Sequence, residues 1–286
     1  KKSKKNYECV FACDINENVR QIYEENHGIK THGDINEINI KNIPDFDILC
    51  AGFPCQPFSN AGVSKRRSLG IKEGFRDRFD KTSQGNLFWS IAKIIRIKRP
   101  KVLLLENVKN LKSHDKGNTW LVIEETLKSL DYEVHYKIID AKHWVPQHRE
   151  RIFIVCFDKY YFKDSSEFIF PEEPKLNLKF KTILDKNPDT KYTISDKLWN
   201  YLKKRAEEQR KKGNGFGYSL VDINKTSRTL SARYHKDGSE ILIPTSNNPR
   251  RLTITEAAKL MGFRDKIKKR EDLVVSDTQA YKQLGN

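Results

Sequence analysis

The stretch Phe46-Asp47-Ile48-Leu49-Cys50-Ala51-Gly52-Phe53-Pro54-Cys55-Gln56 decides the fold. Its apolar run closes on Ala51-Gly52, which predicts a buried strand running out into a loop, with the Cys55 thiol just beyond the exit. Loops past the carboxyl ends of parallel strands are where α/β folds place their chemistry. Outward from this stretch the same alternation recurs. Residues 7–13 predict a strand, and 16–26 a helix with Val19, Ile22 and Tyr23 on one face. Residues 87–97 predict a helix stopped by Pro100, and 102–105 a fully apolar strand. A helix over 119–130, an alternating strand over 132–139 and a buried strand over 151–157 complete the series. Continuous apolar strands alternating with helices predict an α/β fold: a doubly wound, mostly parallel sheet covered on both faces.

The character changes after about Asp158, and a smaller, irregular domain is expected there. Pro171, Pro174 and Pro188 mark irregular connections. A basic helical stretch over 198–212 carries Lys203, Lys204, Arg205, Arg210, Lys211 and Lys212; it reads equally as a DNA-facing surface or as a solvated helix face. Gly213-Asn214-Gly215-Phe216-Gly217-Tyr218 follows, then short strand-like pieces over 228–232 and 240–243. From Arg251 the pattern is helical again, with Leu252, Ala257, Leu260 and Met261. There is no internal repeat and no low-complexity tract.

Composition bounds the partners. The 286 residues can bury one large domain and a smaller one. Hydrophobic residues make up 37% of the chain, with 54 Lys and Arg against 38 Asp and Glu, a net charge of +16. The mean hydropathy of -0.73 describes a soluble, charge-rich protein. The excess charge points to a polyanion, nucleic acid ahead of membrane, or to a merely basic surface. The 5 cysteines form no paired framework, and Cys9, Cys13, Cys50 and Cys156 lie in or beside apolar runs, as small hydrophobes do. Cys9 and Cys13 have no second Cys/His pair at zinc-site spacing, so no metal is expected. This usage fits a reducing cytoplasm. Lys1-Lys2-Ser3-Lys4-Lys5 is basic but no apolar h-region follows, so no signal peptide is expected.

Three polar elements can act together. A free thiol needs a favourable field to become a nucleophile, and Cys55 could draw on nearby cations and a helix amino terminus. Glu106, in Glu106-Asn107-Val108, could bond a ring nitrogen and share its proton, making the ring a better electron sink. Arg149 and Arg151 lie two apart, so on an extended segment both face one way and could hold a carbonyl or phosphate. Taken singly, Cys55 reads as a packed loop thiol and Glu106 as a surface carboxylate. In order within one α/β framework, they read as an active site for an electron-poor ring.

The set Phe53-Pro54-Cys55-Gln56-Pro57-Phe58-Ser59, Glu106-Asn107-Val108 and Gln147-x-Arg149-x-Arg151 resembles bacterial cytosine-C5 DNA methyltransferases. In family order stand also Asp14, Gly33-Asp34-Ile35, Leu87-Phe88, Arg228-Thr229-Leu230-Ser231-Ala232 and Gln279-Ala280-Tyr281-Lys282-Gln283-Leu284-Gly285-Asn286. The resemblance covers essentially the whole chain. Residues 61–65, 213–218 and 229–243 look closest to the Dcm-type subgroup, whose members read CCWGG or CCNGG.

The resemblance implies a Rossmann-like, S-adenosylmethionine-dependent methyltransferase without a metal. Cys55 would attack C6 of a flipped-out cytosine while Glu106 engages its N3 edge, C5 would take the methyl group, and loss of the C5 proton would release Cys55. Arg149 and Arg151 would support the base and the catalytic loop. Asp14 and Ile15, Asp34 and Ile35, Pro54, Leu87 and Asn286 would contact the cofactor. Ser59, Lys65, Arg66, Gln147, Arg228, Thr229 and Arg233 would contact DNA, the first three on a loop over 59–84 that clamps the duplex. Residues 1–181 and 251–286 would form the catalytic domain and 182–250 the target-recognition domain. The implied protein is a bacterial cytoplasmic monomer acting on double-stranded DNA, away from membranes, with a cognate restriction endonuclease as a common functional counterpart.

Two features depart from the family pattern. The glycine-rich loop that cradles the methionine end of the cofactor has no counterpart after Lys1, and Asn286 ends the sequence where the family continues with Ser-Val and a helix. The favoured expectation is that both pieces lie outside the sequence given, ahead of a split enzyme or an inactive remnant. The chain alone is then expected to bind S-adenosylmethionine poorly. A non-catalytic DNA-binding fragment would have no need for Cys55, Glu106 and Arg151 together. An RNA methyltransferase of the same fold would share them but carry a shorter recognition region.

Overall fold

The computed structural model describes residues 7–53, 87–163, 167–213, 217–264, 267 and 269–286. The chain divides into two compact units, residues 1–139 with 150–171, and residues 140–149 with 172–286.

The first unit is built on four strands: β1 (Ile48–Gly52), β2 (Val102–Val108), β3 (Tyr132–Asp140) and β4 (Glu150–Asp158), in the order β1-β2-β4-β3. β1 and β2 run parallel, with Ile48 opposite Val102 and Gly52 opposite Glu106. β2 and β4 run antiparallel, with Val102 opposite Phe157 and Val108 opposite Arg151. The α/β fold is as expected, and β4 is where an antiparallel ladder enters the sheet. Its cause is connection length. Residues 141–149 are too few for the crossover of a dozen or more residues that a parallel neighbour of β3 would need.

Among the described residues, three α-helices belong to this unit. α1 (Glu17–His27) starts at Asn16, whose side chain accepts the Asn18 N–H, and stops at Gly28 with φ 65°. α2 (Leu87–Lys98) is halted at Arg99, φ 45°, directly before Pro100. α3 (Asn118–Ser129) follows the Gly117 turn. The period-two pattern of the strands decides what they bury. Leu103 and Leu105 of β2, with Ile152, Ile154 and Cys156 of β4, pack on Phe88, Ile91 and Ile95 of α2 and Ile123 and Leu127 of α3. Each such aliphatic side chain contributes roughly 1.5–3 kcal/mol on burial.

The opposite sheet face is less covered than expected, because Ile48 and Leu104 stay exposed among the described residues. The predicted strand over 7–13 is also corrected. It forms only a one-pair parallel bridge, Cys13 with His32, and with Tyr7 and Val10 exposed no apolar layer supports a longer ladder.

The second unit is irregular, as expected, around α4 (Asp196–Lys211), α5 (Ile254–Leu260) and α6 (Asp277–Gly285). The strand-like pieces over 228–232 and 240–243 build no ladder; single bridges pair Gln147 with Ser227, Leu220 with Leu242 and Ile243 with Arg250. Polar groups fix this unit from inside. Arg250 holds Glu256 through two bonds of 2.7 and 2.8 Å, and the Glu256 side chain is 0% exposed. Glu256 also closes a capping box with Thr253 at the start of α5. Asp185 accepts from Thr253, Thr255 and Lys259. Burial opposes ionisation of Asp185, but these bonds outweigh it and hold the carboxyl below its ordinary range.

Glu256→Gln removes the charge that balances a buried guanidinium, so it is expected to cost about 3–5 kcal/mol. Denaturant unfolding followed by circular dichroism measures it, and an unchanged midpoint would refute the clamp.

Candidate active site

The carboxyl ends of β1 and β2 assemble the first cluster. Phe53 leaves β1 with its ring buried against Phe88, centroids 5.3 Å apart. Its carbonyl accepts the Nδ2 of buried Asn107 at 2.7 Å, and the Asn107 Oδ1 accepts the Val108 N–H at 2.8 Å. The chain entering Pro54-Cys55 is thereby tied to β2. Pro54 and Cys55 themselves, with Ser59, Lys65 and Arg66, lie outside the described residues.

Glu106 sits opposite Gly52, and a Cβ placed on Gly52 would lie 3.6 Å from its Oε2. With no side chain there, the carboxylate stays 42% exposed. Its other oxygen, Oε1, takes Arg151 Nε at 2.9 Å, with the Arg151 side chain 18% exposed. The register explains the pair. Val108 lies opposite Arg151 and Glu106 opposite Phe153, so Glu106 and Arg151 are diagonal neighbours on one face of an antiparallel ladder. Arg151 Nη1 also donates to the Glu150 carbonyl at 2.9 Å, and Lys109 pairs with Glu150 beside it. A partly exposed pair of this kind contributes only about 0–1 kcal/mol to stability. Its value is geometric: a carboxylate with one oxygen fixed and one presented outward.

The expectation that Arg149 and Arg151 share a face is corrected. β4 begins at Glu150, so Arg149 belongs to the preceding turn and strand alternation does not reach it. Its guanidinium, in the second unit, donates to the carbonyls of Leu230 at 2.9 Å, Gly285 at 3.3 Å and Asn286. Asp140 shapes that turn. It accepts the backbone N–H groups of Lys142 and Arg149 and the side chains of His148 and Lys142. Burial opposes this, yet the bonds keep its carboxyl below the ordinary range.

Gln147, expected to touch DNA, is 0% exposed. Its Nε2 donates to the Leu260 carbonyl at 3.1 Å and its Oε1 accepts the Leu230 N–H at 2.8 Å, so no surface is left for a DNA group. Thr229 gives its hydroxyl to the His148 carbonyl at 2.6 Å. Arg228 and Arg233 are exposed.

A second cluster of the first unit holds Asp14, Ile15, Asp34 and Ile35 near the start of α2, whereas Pro54 lies outside the described residues and Asn286 belongs to the second unit. The Cys13–His32 bridge brings Asp14 beside the turn that begins at Asp34. Burial, then the charges of Asp14 and Asp34, push the Cys13 thiol up. Asp34 caps the turn Ile35–Glu37, and Asn36 of that turn accepts the Ser90 hydroxyl of α2 at 2.7 Å. Ile15 is exposed, and Leu87 is half-buried at the start of α2. Carboxylates beside exposed aliphatic groups suit a ligand with vicinal hydroxyls and a flat aminated ring. No group of three or more His, Cys, Asp and Glu side chains converges as a metal site would among the described residues.

The sequence motifs contain Gly52, Asn107 and Gly285 without marking what each does, and leave Asp140 outside them. An Asp ending a strand two residues before Lys142 is an Asx-turn signal that could have found Asp140. The tie made by Asn107 is long-range and has no local signature.

A family model described as C-5 cytosine-specific DNA methylase matches residues 2–286. The type II methyltransferase M1.ScrFI of Lactococcus lactis subsp. cremoris is 49% identical over 280 residues, covering 97% of this chain and 68% of that protein. The DNA-cytosine methyltransferase of Escherichia coli strain K12 is 40% identical over 336 residues, covering 98% and 70%. The solved structure of the Entamoeba histolytica methyltransferase EhMeth aligns at TM-score 0.68 with 20% identity, covering 96% of this chain and 84% of that one, a likeness of fold.

Asn107→Ala leaves the Phe53 carbonyl buried and unpaired, at an expected cost of about 1–3 kcal/mol. Denaturant titration reads the loss; a variant as stable as the parent would dismiss the tie.

Proposed function

The chain belongs to the C-5 cytosine-specific DNA methylase family, and from that premise we propose that Cys55 is the nucleophile of a methyl transfer to cytosine in CCWGG or CCNGG duplex sites. The observation that carries this reading is the Glu106–Arg151 pair, at the strand ends where Asn107 ties down the chain leading into Cys55.

The Cys55 thiolate adds to C6 of an extruded cytosine, forming the S–C6 bond and moving electron density to C5. Glu106, oriented by Arg151, protonates or shares the proton at N3, which neutralises the charge that addition places on the ring. When bound, S-adenosylmethionine supplies the methyl group that C5 takes. A base removes the C5 proton, the C5–C6 double bond re-forms, and the Cys55 thiolate leaves. Extrusion costs a few kcal/mol of stacking and pairing, which protein contacts must offset.

Asp14 with Ile15, Asp34 with Ile35, and Leu87 are assigned to the cofactor. Pro54 and Asn286 are assigned there on resemblance alone. Residues 182–250 are the target-recognition segment, within a catalytic domain of 1–181 and 251–286. Exposed Arg228 and Arg233 suit phosphate contacts, which position a protein on the duplex while base edges carry the sequence. The type II names of relatives support a companion restriction endonuclease, with this protein acting as a monomer.

A duplex with 5-fluorocytosine at the target cannot lose a C5 proton, so the S–C6 bond should persist. In protein that carries the family's glycine-rich loop and the segment after Asn286, with S-adenosylmethionine present, Cys55 is expected to give an adduct that survives denaturation and Cys55→Ala none; an adduct with Cys55→Ala would sink the assignment. Glu106→Gln is expected to slow tritiated methyl transfer to CCWGG and CCNGG duplexes about 10²–10⁴-fold. Labelling of transfer RNA but not of DNA would overturn the substrate.

A further inference from the structure

We propose that Arg149 is a positioning residue that holds the DNA-facing segment 228–233 in place and takes no part in the reaction at the base. This rests on the reading of that segment given above. Arg149 is 8% exposed. Its guanidinium bonds Leu230 on one side and the end of α6, at Gly285 and Asn286, on the other.

The two segments it joins are in direct backbone contact. A Cβ on Gly285 would run into the Ser231 carbonyl group and the Ala232 nitrogen, so only glycine permits the approach. The turn carrying Arg149 secures the same segment by other bonds. Ser227 donates its N–H to Pro146, and His148 donates to Ser227, both at 2.9 Å. Gln147 takes the Leu230 N–H at 2.8 Å, and Thr229 bonds the His148 carbonyl at 2.6 Å.

The main chain over 227–231 is therefore held from below, and the flanking Arg228 and Arg233 point to solvent. They make no ion pair among the described residues. Such a fixed main chain sets the roots of two arginine side chains before a phosphate backbone, so binding has to order only the side chains and not the segment that carries them. Lysine offers a point charge where the platform needs a fork.

Steady-state and single-turnover methyl transfer on a cognate duplex test this. Arg149→Lys and Gly285→Ala are each expected to raise KM for the duplex about tenfold, as for loss of one charge-assisted bond. The single-turnover rate at saturating duplex and S-adenosylmethionine should stay within about twofold of the parent, since only interactions made in the transition state alone change it. Arg228→Gln with Arg233→Gln, both at the surface, should raise KM with an unchanged thermal midpoint, which keeps the test open if a node variant fails to fold. A slowed single turnover with unchanged KM would make Arg149 catalytic and overturn the proposal. So would unchanged KM in Arg149→Lys, or in the surface pair. Methyl transfer that survives Cys55→Ala contradicts the catalytic reading instead, and leaves the KM comparison intact.

Discussion

The antiparallel ladder between β2 and β4 is the constraint on which the candidate chemistry depends. A parallel β4 would present its amino-terminal Arg151 at the far end of the sheet from Glu106. Reversal sets Arg151 opposite Val108, one diagonal step from Glu106. The carboxylate is then fixed through Oε1 while Gly52 leaves its flank open. Sheet direction, a property of the whole chain, thus decides the orientation of one acid.

Buried and half-buried polar groups do in this protein what apolar packing cannot. Asn107 fixes where the chain leaves β1, Asp140 fixes the turn before β4, and Glu256 fixes the start of α5 with Arg250. Each is satisfied by several partners, which makes a polar group both tolerable inside and specific in geometry. The net charge of +16 remains a property of the surface, suited to a polyanionic partner and salt-dependent binding.

Much of the fold was legible in the sequence. The apolar stripe of residues 87–97 and the continuous run of 102–105 gave α2 and β2, since period and burial are encoded locally. The strand over 7–13 was not, because its hydrophobicity has no matching partner layer among the described residues. Strand direction in β4 was hidden because the alternation of residues 151–157 is the same for either direction. Glu106 and Arg151 were legible as a pair in order. Arg149 was misplaced because spacing by two implies a shared face only inside a strand, and β4 starts one residue later. Gln147 was assigned to DNA by resemblance alone, and a motif carries no burial; long-range bonds to Leu230 and Leu260 hold it inside.

The central claim is that Glu106 and Arg151 act as one unit on the base. A double-mutant cycle on the single-turnover rate, using Glu106→Gln, Arg151→Lys and both together, tests it most directly. If the arginine works through the carboxylate, the double variant should be about as slow as Glu106→Gln alone. Rate losses that multiply would show two independent contributions and contradict the account.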